Sequence, residues 1–184
     1  MLNNKEGYSL LDVDFILNKL GIEENMKIAD LGCGSLGKFS FKMSNLVGRR
    51  GKIYAVDILK PVLATINRRI EQDQVENIET VWSDIEIFGA TKIEASSLNI
   101  AVLINTLYQS FKKEAMLRES NRMIKKDGRL MIVEWKEISS PLGPPLNQRI
   151  KKDNIISIAN TLGLELIEEF EAGEYHYGLI FVKL

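Results

Sequence analysis

The residues best suited to binding chemistry lie in the run Met26-Lys27-Ile28-Ala29-Asp30-Leu31-Gly32-Cys33-Gly34-Ser35-Leu36-Gly37-Lys38. A short apolar-leaning segment ends in an acid, a glycine-rich turn follows, and a helix is expected to begin near Gly37. Gly32 and Gly34 leave out side chains where the backbone must turn sharply and approach a ligand. The helix that follows aims its unpaired N–H groups back into the turn, so this stretch makes a seat for a nucleotide-like ligand. Two ligand classes compete for it. Read as Gly32-x-Gly34-x-x-Gly37, the spacing is that of a dinucleotide fold with a pyrophosphate at the helix N-terminus. Asp30 opposes that reading, because its carboxylate would sit beside the diphosphate and repel it. The same carboxylate suits a ligand that carries positive charge near the loop.

The elements that must position this seat follow in regular alternation. A helix is expected from Ser9, with Asp12 as the third residue of a capping box, Val13, Ile16, Leu17 and Leu20 on one face, and Gly21 as its end; Tyr8 precedes it as a packing residue. After the opening strand, Phe39, Met43, Leu46 and Val47 form one helical face that Gly48 closes. Lys52 to Asp57 reads as a second strand, Pro61 opens the helix that carries Ile66 and Ile70, and Ile78 to Trp82 reads as a third strand followed by Ser83-Asp84. Ile87 to Ser97 is a polar connection, and Leu98 to Ile104 is apolar enough to be a strand buried on both faces. Lys112 to Lys126 reads as an amphipathic helix ended by a turn at Asp127-Gly128, Arg129 to Trp135 as the fifth strand, and Lys136 to Arg149 as an irregular proline-rich loop. A helix from about Lys152 to Leu162 precedes two strands, Leu164 to Phe170 and Tyr175 to Lys183, joined by Glu171-Ala172-Gly173-Glu174 as an antiparallel hairpin. The expected fold is α/β: a Rossmann-like, doubly wound and mostly parallel sheet, seven-stranded, with an antiparallel C-terminal strand.

The 184 residues suit a single domain, 1–184, with 1–25 as an N-terminal helical segment, and a net charge of −1 gives no reason to expect a nucleic-acid backbone as partner, without excluding a local basic patch. Cys33 is the only cysteine and His176 the only histidine, so neither an intrachain disulfide nor a Cys/His metal cluster is expected. Cys33 reads as a small residue filling a tight turn, in preference to a reactive thiol. Met1 to Glu6 lack the charged-then-apolar pattern of a signal peptide, and the longest strongly apolar run, Ile100 to Ile104, is too short to span a bilayer. Cytoplasm is the expected location.

Asp30-Leu31-Gly32-Cys33-Gly34 resembles the first motif of the class I S-adenosylmethionine-dependent methyltransferases, whose cofactor carries an ammonium and a sulfonium. Gly51-Lys52-Ile53-Tyr54-Ala55-Val56-Asp57, Ser83-Asp84 and Lys126-Asp127-Gly128-Arg129-Leu130 extend the resemblance from about Lys27 to Leu184, toward the ubiquinone and menaquinone biosynthesis C-methyltransferases. The family usually has its third glycine where this chain has Leu36; Gly37 follows one residue later. The resemblance implies S-adenosyl-L-methionine as cofactor, with Asp30, Gly32, Cys33, Gly34 and Gly37 among the residues that bind it. By the same resemblance Asp57 would accept from the ribose hydroxyls, as a two-oxygen acceptor suits a vicinal diol. Ile58 would lie on the adenine face, Ser83, Asp84 and the N–H of Ile85 at the adenine edge, and Asn105 beside the methionine half. Many relatives have histidine where Tyr108 stands.

Methyl transfer from an activated sulfonium asks the protein mainly for alignment and exclusion of water. A base is required only where the nucleophile starts protonated, and the candidates are His176, Glu134 and Tyr108. Arg149 is a candidate partner for an acidic substrate or for a surface carboxylate. The acceptor is expected to be a small molecule. Competing readings are an RNA methyltransferase, a non-catalytic cofactor-binding or regulatory protein, which Leu36 favours, and a nicotinamide-dependent oxidoreductase, which Asp30 disfavours.

Overall fold

The computed structural model describes residues 10–184, so Tyr8 and the expected helix start at Ser9 lie outside the described residues. Seven strands form one sheet: β1 (Lys27–Leu31), β2 (Lys52–Asp57), β3 (Ile78–Trp82), β4 (Leu98–Ile104), β5 (Ile124–Trp135), β6 (Leu164–Gly173) and β7 (His176–Lys183). Their order is β3-β2-β1-β4-β5-β7-β6, parallel from β3 to β5, with β7 antiparallel to both β5 and β6. Strand order reverses between β1 and β4, and in open parallel sheets ligands bind beyond the carboxyl ends of the strands at such a point.

Helices cover both faces, which is why the central strands read as nearly unbroken apolar runs. On one face α1 (Val13–Asn18), α2 (Lys38–Val47) and α3 (Lys60–Asp73) bury Ile16, Leu17, Met43 and Ile66 against Ile28, Ile53, Ile100 and Val133. On the other, α4 (Lys113–Met123) and α5 (Lys152–Thr161) bury Leu117, Met123, Ile155 and Ala159 against Leu103, Ile132, Leu179 and Phe181. No helix among the described residues is long and apolar enough to cross a membrane.

Three expected boundaries move. Asp12 caps α1 instead of sitting inside it: its Oδ1 accepts the Phe15 N–H at 3.0 Å, and the helix starts at Val13. The helix expected to run to Lys126 stops at Met123, because Ile124 is already extended and pairs with Leu98, so Lys125 and Lys126 belong to β5. The left-handed Asp127 and a register shift between Leu98 and Ile100 absorb the irregularity that reads as a turn in sequence. Finally, β6 runs on to Gly173, which shortens the hairpin link to Glu174-Tyr175.

The connection expected to be merely polar, Ile87 to Ser97, is held from beneath. Glu119 on α4 is fully buried and accepts the Gly89 N–H at 2.7 Å and the Thr91 N–H at 3.0 Å. Arg122 binds both Glu119 oxygens at 2.8 Å and donates to the carbonyls of Thr91 and Ile93 at 3.0 Å. Burial raises the Glu119 carboxyl, but the guanidinium and the two N–H groups outweigh it and hold the group below its ordinary range.

Candidate functional site

Gly32 and Gly37 both require glycine, for reasons the structure makes specific. Gly32 has φ +84°, and a Cβ there would fall 2.6 Å from Thr106 Cγ2, so the β1 loop and the β4 loop can close on each other only without a side chain. Thr106 completes that junction by donating to Leu31 O at 3.1 Å. Gly37 is the left-handed N-cap of α2, and a Cβ there would lie 2.6 Å from Ile66 Cδ1. Its left-handed φ of +53° strains any L side chain, and the contact with the movable Ile66 terminus adds to that. The extra residue that displaces it, Leu36, points outward, and its carbonyl accepts from Arg69 Nη1 at 2.9 Å. At Gly34, by contrast, an added Cβ would meet nothing within 4 Å, so the loop is open on that side.

The glycine loop divides a groove into two halves that share Gly32, Gly34 and Gln109. One half, about 360 Å³, is bordered by Asp57, Ile58, Ser83, Asp84, Ile85 and Thr106. The other, about 400 Å³, is bordered by Asp30, Cys33, Gly37, Lys38, Asn105 and Tyr108. Every residue expected on the cofactor side therefore borders one half or the other. Among the described residues four carboxylates, Asp30, Asp57, Asp84 and Glu86, and one lysine, Lys38, border the groove.

Asp57 ties the first two loops together, accepting the Gly34 N–H at 3.2 Å and the Leu59 N–H at 2.9 Å. Each of its oxygens keeps a second lone pair for a ligand. Asp84 accepts the Glu86 N–H at 2.9 Å through one oxygen only. Ile58 is half exposed above this pair, whereas the Ser83 hydroxyl turns to Thr91 at 3.0 Å and borders the groove by its backbone position.

Asp30 is buried and bonded to the Ser40 hydroxyl at 2.6 Å. Burial pushes its carboxyl up to about 6; the Ser40 bonds oppose the rise and the nearby Asp57 charge adds to it. Beside it, Asn105 is left-handed, gives its N–H to Val133 O at 2.8 Å, and accepts Gln109 Nε2 on its carbonyl at 2.8 Å. Its side-chain Oδ1 is buried with no hydrogen-bond partner. Burial, with Asp30 and Asp57 close by, pushes the Cys33 thiol far up, so it stays protonated and fills space.

The three candidate bases separate. Tyr108 borders the groove, and burial together with the Glu134 charge raises its phenol. Glu134 is fully buried beneath the turn that carries Tyr108, with Oε1 accepting the N–H groups of Leu107 at 2.7 Å and Tyr108 at 3.3 Å. His176 is fully buried against Trp135, ring centroids 4.0 Å apart, with neither ring nitrogen partnered. Burial, then Arg149 and Lys136, push it down to about 4. The structure does not bring His176 to the groove. Arg149 pairs with no carboxylate among the described residues: its guanidinium is taken up by the carbonyls of Pro144, Lys136, Ile138 and Leu142 at 2.6–3.2 Å and organises the proline loop.

Among the groove residues that sequence reasoning passed over are Thr106 and Gln109. Their signal was present as a polar run directly after an apolar strand, Asn105-Thr106-Leu107-Tyr108-Gln109.

Residues 22–169 match the family described as "Methyltransferase domain". The chain belongs to that family. Among relatives in the methyltransferase family, it is 29% identical over 164 residues to the ubiquinone/menaquinone biosynthesis C-methyltransferase UbiE of Cronobacter sakazakii, covering 89% of this chain and 61% of that one. It is 27% identical over 129 residues to the enzyme of the same name from Hahella chejuensis, covering 70% and 50%. The chain thus spans about half to three-fifths of these relatives. The fold is shared with a SAM-dependent methyltransferase from Aquifex aeolicus, at TM-score 0.86 and 22% identity over 95% of this chain and 91% of that one. It is shared too with a putative type 11 methyltransferase from Sulfolobus solfataricus, at TM-score 0.78 and 22% identity over 96% and 95%. The class I resemblance and the doubly wound sheet read from sequence both hold.

Proposed function

We propose that this protein transfers a methyl group from S-adenosylmethionine to a small-molecule acceptor. The observation that carries the reading is the acid-lined groove, one half of which is bordered by both Asp30 and Asn105, whose side-chain Oδ1 is buried without a hydrogen-bond partner among the described residues. A buried acceptor without a donor is costly unless a ligand supplies one, and an amino acid ammonium does so for both side chains. A diphosphate finds four carboxylates and one lysine there. The residues therefore fit this cofactor: Asp30 and Asn105 for its ammonium end, Asp57 for its ribose diol, and Ile58, Asp84 and Ile85 around its base.

The bound cofactor supplies a methyl carbon already activated by the sulfonium, so the nucleophile forms the new bond as the carbon–sulfur bond breaks. What falls to the chain is alignment and dryness. Tyr108, protonated at neutral pH, serves as wall and hydrogen-bond donor. A cavity of about 680 Å³ meets the groove at Tyr108 and Gln109, and we assign the acceptor to it. The printed names of the UbiE relatives make a carbon acceptor from quinone biosynthesis the first to assay.

A thermal-shift measurement tests the cofactor, since a ligand of the native state raises its apparent stability. S-adenosylhomocysteine is expected to raise Tm and NAD to leave it unchanged; the reverse pattern would sink the reading. Transfer of labelled methyl to a quinone-precursor panel then tests the acceptor.

A further inference from the structure

Glu134 does not reach the groove, yet it is fixed to the part of the wall that two ligand spaces have in common. Its Oε1 accepts consecutive N–H groups at the start of the 3-10 turn Leu107–Gln109. Tyr108 in that turn borders the ammonium half and the 680 Å³ cavity, and Gln109 borders both halves and that cavity. Gln109 also bonds back to Asn105, whose Oδ1 is the orphaned acceptor. A change in the hold on this turn therefore reaches every part of the site at once.

We propose that Glu134 is a positioning residue whose ionised carboxylate fixes the Leu107–Gln109 turn for ligand binding and whose protonation loosens it. This inference rests on the methyltransferase reading of the groove. The second oxygen, Oε2, is buried with no hydrogen-bond partner, and no lysine, arginine or histidine among the described residues pairs with Glu134. The titratable groups facing it are Tyr108 from the turn and Tyr177 from β7, both of whose phenols feel its charge. Tyr177 spends its hydroxyl on Ile150 O at 2.7 Å and so cannot donate to Oε2. Burial pushes the Glu134 carboxyl up to about 7, partly opposed by the N–H groups of Leu107 and Tyr108. An ionised acceptor binds N–H groups roughly twice as strongly as a neutral one. The turn is consequently held tightly above neutral pH and weakly below it, and a proton on Oε2 finds no acceptor.

The test is calorimetric titration with S-adenosylhomocysteine from pH 5 to 8.5 on the wild type, Glu134→Gln and Glu134→Asp. The wild type is expected to gain about fivefold in affinity as pH rises through about 7, the difference between a charged and a neutral acceptor. Glu134→Gln is expected to lose that limb and keep a separate one near pH 6 that belongs to Asp30. Glu134→Asp, charged but too short to reach the turn, is expected to bind more weakly at every pH. A wild type with no limb near 7, or a Gln variant that retains it, overturns the proposal while leaving the cofactor assignment standing. Absence of binding at every pH removes the cofactor assignment and this inference with it.

Discussion

Two fully buried glutamates each hold a loop at the carboxyl edge of the sheet, and their surroundings secure the charge of one and not of the other. Glu119 grips Gly89 and Thr91 with both oxygens engaged and Arg122 across it, so its carboxyl stays ionised throughout the neutral range. Glu134 grips Leu107 and Tyr108 with one oxygen and has no cation among the described residues, so burial goes largely unopposed and puts its titration at about 7. The same residue type thus underlies a fixed wall below the Gly89–Thr91 loop and, in the account proposed above, an adjustable one at the Leu107–Gln109 turn. Burial alone does not decide the charge of a carboxyl; the partner does.

The largest way to break the comparison is at the fixed end. Glu119→Ala leaves Arg122 as a part-buried cation without its carboxylate and strands two N–H groups, and is expected to cost about 3 kcal/mol in urea unfolding. A loss below about 1 kcal/mol would mean the clasp is dispensable. Glu134→Gln acts in the other direction and depends on pH. Because the folded pKa lies above the ordinary 4.5, its stabilising effect is full below about pH 4.5 and is lost as pH rises to about 7. Replacing the acid with Gln is therefore expected to raise stability at pH 8 relative to the wild type by about 2–3 kcal/mol, and to lose that advantage at pH 5. An advantage that is the same at both pH values contradicts the assignment.

Asp30 sharpens the contrast as an intermediate case, a buried carboxyl with one neutral donor and a value of about 6. A ligand ammonium favours its ionised form, so affinity for S-adenosylhomocysteine is expected to drop about tenfold as pH falls below 6, and Asp30→Asn to abolish that dependence. Smallest of all is the exposed pair on the same helix as Glu119. Arg118→Ala removes the Glu114 contact at 2.8 Å and should cost only about 0.3–0.5 kcal/mol, which isolates burial as the source of the clasp's strength.

The order and type of the elements were legible because each depends on local pattern. Unbroken apolar runs gave β4 and β5, and the acid-glycine turn gave the cofactor loop. The boundaries that slipped depend on distant partners: nothing within Lys112–Lys126 announces that Ile124 pairs with Leu98. The lining of the groove was readable for the same reason as the strands, since Asp30, Asp57, Asp84 and Asn105 all lie at or just past strand ends. Arg149 and His176 were not, because their roles are set by carbonyls and an indole brought together only by the proline loop and the β5–β7 pairing. Glu119 reads as an ordinary helix acid until the Gly89–Thr91 loop folds onto it.

Asp57 is the residue on which the cofactor reading is most exposed, because that reading requires it to accept the ribose diol, and the parallel NAD titration separates the two ligand classes. Calorimetric titration of the wild type and Asp57→Asn with S-adenosylhomocysteine at pH 8, with folding of each checked by Tm, tests it most directly. The account predicts clear binding to the wild type and an affinity about 10- to 100-fold lower in the variant, the value of charged hydrogen bonds to a diol. Equal affinities, or a wild type that binds NAD and leaves S-adenosylhomocysteine in solution, would contradict it.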